Sequence, residues 1–114
     1  MKLETSHGIE PEANAVRIET LIRSEEERGD FIILSQADQI YLQTTGGNDA
    51  FITEYRNGDE DQHYSSKHPL TANQLLDLMV RYLERDPNWD DGCEWEPLGE
   101  SEDEPIRTWG LNWS

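Results

Sequence analysis

Apolar residues fall into a few compact runs along this chain, separated by polar stretches marked with glycine. Ala15, Ile18, Leu21 and Ile22 recur at the spacing that stacks side chains on one helix face, while Glu12, Arg17, Glu19 and Arg23 fall mostly on others. Pro11 stands where a helix tolerates a missing amide hydrogen, so the pattern predicts a helix from about Glu10 to Glu25, with Gly29 as its stop. Ahead of it, Lys2 to Thr5 reads as a short edge strand or a frayed end.

After Gly29 the period changes. Phe31 to Leu34 is an apolar run of strand length, and Ala37-Asp38 makes a tight connection to the β-branched and aromatic stretch Ile40 to Thr45. The segment Gly46 to Asp49 is expected to be a flexible hairpin loop, and Phe51 to Arg56 the next strand. Asn57-Gly58 is the strongest short hairpin signal, because a type I′ turn requires positive φ at both central residues. The strand after it, about Gln62 to Ser66, is polar and reads as an edge.

Thr71 and Gln74 have capping-box spacing, and Leu75, Leu76, Leu78, Met79, Tyr82 and Leu83 follow as a wide apolar stripe. That helix should stop by Asp86, before Pro87. Trp89 and Trp95 are then placed to close the end of the sheet. The expected class is α+β: an antiparallel β-meander of about four strands with two helices packed on one face. Residues 1–98 would form a single domain, and 99–114 an acidic linker and a tail carrying Trp109 and Trp113.

Composition changes the picture mainly through charge. Twenty-five acids against nine bases give −16 over 114 residues, with 34% hydrophobic residues. Such a field repels nucleic acid and anionic membrane and attracts basic partners. Met1 to Gly8 has no apolar core of a signal peptide, and no run approaches membrane-spanning length, so the cytoplasm is the expected location.

The residues offer little for catalysis. Cys93 is the only cysteine and sits among Asp90, Asp91, Glu94 and Glu96, a setting that raises a thiol pKa and leaves it inert. Asp59 to His63 with His68 matches neither an EF-hand nor a helical His-Glu-x-x-His site, so no metal or other cofactor is expected. Gly46-Gly47 lacks the lysine and helix of a phosphate cradle. No enzyme activity is expected.

Two acidic stretches have shape. Glu84 to Glu104 holds ten acids and one base, Arg85, around Trp89 and Trp95, and Asp59, Glu60 and Asp61 add a second group. If both lie on one rim they form an anionic face with aromatic anchors, the composition of a partner-binding patch, with Asp59, Glu60, Asp61, Trp89, Asp90, Asp91 and Glu94 as the candidate contacts. The strand run Phe31 to Ser35, Ile40 to Thr44 and Phe51 to Tyr55, then His63-Tyr64, the capped helix and Trp89 with Glu94-Trp95-Glu96, resembles small bacterial immunity proteins of polymorphic toxin systems, especially those beside deaminase-type toxins. The resemblance covers roughly residues 30–97. It implies an inhibitor that binds and occludes a cognate basic toxin acting on nucleic acid. An alternative from the charge is a nucleic-acid mimic that blocks a DNA- or RNA-binding protein.

Overall fold

The computed structural model describes residues 1–37, 39–58 and 63–97. In chain order these form β1 (Lys2–Thr5), β2 (Gly8–Glu10), α1 (Ala15–Arg23), α2 (Glu25–Arg28), β3 (Phe31–Ala37), β4 (Ile40–Gly47), β5 (Ala50–Asn57), β6 (His63–Ser66), α3 (Ala72–Leu83), a 3-10 turn (Trp89–Gly92) and β7 (Trp95–Pro97). The class is α+β. The strands make one antiparallel sheet, ordered β2-β1-β3-β4-β5-β6-β7.

That sheet has seven strands among the described residues, not four. Lys2 to Thr5 is an interior strand, because β2 pairs outside it with Glu4 opposite Ile9. The expected helix start at Glu10 is strand instead, and α1 begins only after Asn14, whose Oδ1 accepts the Arg17 amide at 2.8 Å. Ser24 then ends α1 in extended conformation and caps α2, its hydroxyl accepting from the Glu27 amide. One expected helix is thus two, broken at a residue whose short hydroxyl competes for backbone partners. Gly29 stops α2 as expected, at φ 73°.

The tight hairpin lies elsewhere than Asn57-Gly58. Gly47 pairs with Ala50, and Asn48 and Asp49 both have positive φ (55° and 61°), so the segment expected to be a loose loop is the two-residue turn. Asn57 instead finishes β5 opposite Ile40, and Arg56 pairs with His63, so five residues, 58–62, stand between β5 and β6. The expected edge β6 is covered by β7, with Ser66 opposite Trp95. Trp95 therefore closes the sheet as expected, by adding a strand.

The core lies between the sheet and the helices, where Leu3, Ile32, Leu34, Leu42 and Phe51 meet Ile18, Leu21 and Ile22 of α1 and Leu75, Leu78, Met79 and Tyr82 of α3. The capping box forms as expected: Thr71 Oγ1 accepts from the Gln74 amide, and Gln74 Oε1 accepts from the Thr71 amide at 2.9 Å. Asp49 adds a third cap, accepting from the Ala72 amide. Phe51 and Leu70 exchange both main-chain bonds, pinning the entrance of α3 to β5.

Arg28 ties these parts together. It is 4% exposed, donates to the Leu21 and Ile22 carbonyls at 3.0 Å and to the Gly46 carbonyl at 3.1 Å, and lies 5.2 Å from the Phe51 ring centre. Burial pulls its pKa below the usual arginine value. Arg28→Met should keep the packing and orphan three carbonyls, lowering stability by about 2–4 kcal/mol in urea titration.

Candidate partner-binding surface

The end of the sheet near β7 is built from aromatic rings. Tyr55 of β5 is the hub: Trp89 and Trp95 meet it edge-on at 4.8 and 4.7 Å, and Tyr64 stacks on it at 5.1 Å. Tyr82 from α3 meets Trp89 at 4.8 Å. Edge-to-face pairs of this kind add modestly to the stability gained from burial. The 3-10 turn is placed by this cluster and by Trp95, whose indole N–H donates to the Asp90 carbonyl at 2.9 Å. Trp89 is therefore half-buried and packed inward, beside a half-buried Asp90 and an exposed Asp91 and Glu94.

Between this turn and the sheet lies a cavity of about 170 Å³. Ile40, Tyr55, Arg56 and Asn57 border it from the strands, and Gln36, Tyr82, Trp89 and Asp90 complete the lining. Gln36 reaches it because the β3–β4 register shifts between Ser35 and Ala37, leaving Gln36 without a partner across that ladder. Its Oε1 accepts from Arg85 Nη1 at 2.9 Å. Arg85 sits at φ 60° just beyond α3, a left-handed residue that turns the chain toward Trp89.

No ion pair among the described residues involves the acids of this region. Among the described residues, the arginine ion pairs join Arg17 to Glu10 and Glu27, Arg23 to Glu19, and Arg81 to Asp77, all on or beside α1 and α3. Asp90, Asp91, Glu94 and Glu96 take part in none. Asp59, Glu60 and Asp61 lie outside the described residues. Trp109 and Trp113 also lie outside.

Electrostatics follows from this crowding. Burial pushes the Tyr55 hydroxyl up to about 12, helped by the Asp90 charge. Burial likewise pushes the Cys93 thiol up to about 11, with Asp90 and Glu94 adding to it. The acids anticipated for Cys93 thus act in the expected direction, but loss of solvent is the larger cause.

A second constellation, not anticipated from the residues, occupies the sheet face opposite the helices. One row runs Ile9, Glu4, Ile33, Gln43, Glu54, Ser65 and Glu96 across the seven strands. At its centre Glu54 is 1% exposed, and one carboxylate oxygen meets His63 Nε2 at 2.9 Å and the Gln43 amide N–H at 3.1 Å. The signal was the alternation of polar residues within β4 and β5, which marks a second face without showing that its acid is buried.

Comparison with protein-family models, curated proteins and solved structures finds no match. No helix among the described residues is long and apolar enough to cross a membrane.

Two expectations follow. Cys93 should alkylate with iodoacetamide at pH 8 at least about tenfold more slowly than a free cysteine, its rate climbing toward pH 11. Because both raised groups stay neutral in the folded state while their unfolded counterparts ionise earlier, stability should hold below about pH 9 and fall between there and pH 12. Separately, His63→Ala strips a partner from a buried carboxylate and should lose about 1–3 kcal/mol in chemical denaturation. A double-mutant cycle with Glu54→Gln should show the two losses to be non-additive.

Proposed function

We propose that this protein binds a basic protein and neutralises it by covering its working surface, in the manner of the immunity proteins its strand pattern resembles. The observation that carries the reading is the run of carboxylates from Asp90 to Glu96, beside the aromatic cluster, that makes no ion pair among the described residues. The chain holds −16 in all, and Glu12 and Glu26 near the helices likewise make no ion pair among the described residues, but of these acids only Asp90, Asp91, Glu94 and Glu96 lie beside the aromatic cluster. A toxin that works on nucleic acid presents cations to phosphate, and unpaired carboxylates compete for the same cations. The cytoplasm is where such an inhibitor would meet its target.

The partner contacts in this reading are Trp89, Asp90, Asp91 and Glu94, extended by Asp59, Glu60 and Asp61. Trp89 serves mainly by holding Asp90 in place, since its ring is committed to Tyr55 and Tyr82.

The test is binding to a basic deaminase-type toxin domain before and after reversing Asp90, Asp91 and Glu94 to lysine. Association should slow at least about tenfold at low salt, and the difference should shrink as salt rises. Reversing Glu12 and Glu26, exposed acids near α1 and α2, should do much less. Equal losses at both sets would reduce the effect to net charge and remove the site. Comparable affinity for several unrelated DNA- or RNA-binding proteins would favour the nucleic-acid mimic.

A further inference from the structure

We propose that the cavity beside the 3-10 turn is a socket for one arginine side chain of the basic partner. The inference rests on the partner-binding reading above and supplies the chemistry of a single contact.

The space is the first argument. At about 170 Å³ the cavity holds several waters' worth of volume, a water claiming roughly 30 Å³. A guanidinium with part of its stem fits that scale. The walls are the second. Trp89 and Tyr55 supply ring surface, on which a planar, weakly hydrated guanidinium packs better than an ammonium.

The polar groups are the third argument, and they are mostly acceptors. Asp90, whose carboxylate makes no ion pair among the described residues, lines the cavity together with Asn57 and Gln36, side chains that each carry an amide oxygen. Gln36 already accepts one guanidinium N–H, from Arg85. Tyr82 is 3% exposed, and its hydroxyl, which interacts with the Gln36 side chain, makes no hydrogen bond of ordinary geometry among the described residues. A buried hydroxyl left unpaired is unfavourable, and a ligand carrying donors relieves it. Five N–H groups in a rigid fork match acceptors spread around a small space better than the three of lysine.

The cations already nearby do not fill the role. Arg85 is turned to Gln36, and Arg56, one residue along the strand from Tyr55, sends its side chain to the opposite face, where its charge acts on Tyr41. An anion would meet Asp90 and the field of the whole chain.

The test uses the whole protein labelled with ¹⁵N and follows the Trp89 indole N–H during titration with N-acetyl-arginine amide. A saturable shift is expected, with affinity at least about tenfold weaker for the neutral citrulline analogue and about threefold weaker for the lysine analogue. Asp90→Asn should weaken arginine binding about tenfold and Tyr82→Phe about threefold. Asp90→Asn keeps the carbonyl that holds Trp95, so an unmoved Trp95 indole signal certifies the fold in each variant. Equal response to citrulline, or indifference to both substitutions, would overturn the socket. Arginine binding in a protein that captures no basic partner would keep the socket and remove the wider reading. Capture undiminished by Asp90→Asn, with no arginine response, would do the reverse.

Discussion

The organising constraint is that α1 and α3 pack against each other and the core on one face of the sheet. The row at the centre of the other face must then satisfy its own polar groups. It does so in part by pairing across strands: Gln43 and Glu54 are direct neighbours and His63 joins them from β6, while Gln43 Oε1 and Glu54 Oε2 are buried with no partner among the described residues. Those bonds need the ladders in register, since a one-residue slip would send Glu54 into the apolar face. Register is held in turn by the Asn48–Asp49 turn and by the exchange of bonds between Phe51 and Leu70. The capped helix and the polar face thus depend on the same strand.

That arrangement also sorts the charge. The chain has nine bases, and the fold commits several of its arginines near the helices. Arg28 is buried on carbonyl oxygens, while Arg17, Arg23 and Arg81 bond to acids on or beside α1 and α3. Exposed pairs of this type are worth well under about 1 kcal/mol each. Their larger consequence is positional. The arginine ion pairs lie around the helices, and among the described residues none reaches the carboxylates at the β7 end, where Lys67, bonded through its amide to the Glu94 carbonyl, is the neighbouring base.

The α3 stripe and cap were legible because both signals are local: Thr71 and Gln74 need only each other, and the leucines only their spacing. The meander from β3 to β5 was legible for the same reason. β2 and β7 were not, each being a three-residue strand made by its neighbour rather than by its own composition. Asn57-Gly58 misled because Asn57 is held in the ladder opposite Ile40, and tertiary pairing overrides the turn preference of the dipeptide. The charge of the candidate surface was plain from residue counts. Its shape was not, because the cavity joins Gln36, Asn57, Tyr82 and Asp90, residues far apart in the chain.

Rigidity is what separates this acidic end from a merely charged loop. A free carboxylate on a mobile segment attracts cations but loses entropy when it holds one. Here Trp95 fixes the Asp90 carbonyl, Tyr55 and Tyr82 brace Trp89, and β7 locks Trp95 into the sheet beside Ser66. Each support comes from a different element, so the acid is presented in a position set before any partner arrives. Ordering that is already complete in the free protein need not be supplied on binding, so in the proposed reading selectivity among basic partners rests on geometry as much as on the total charge.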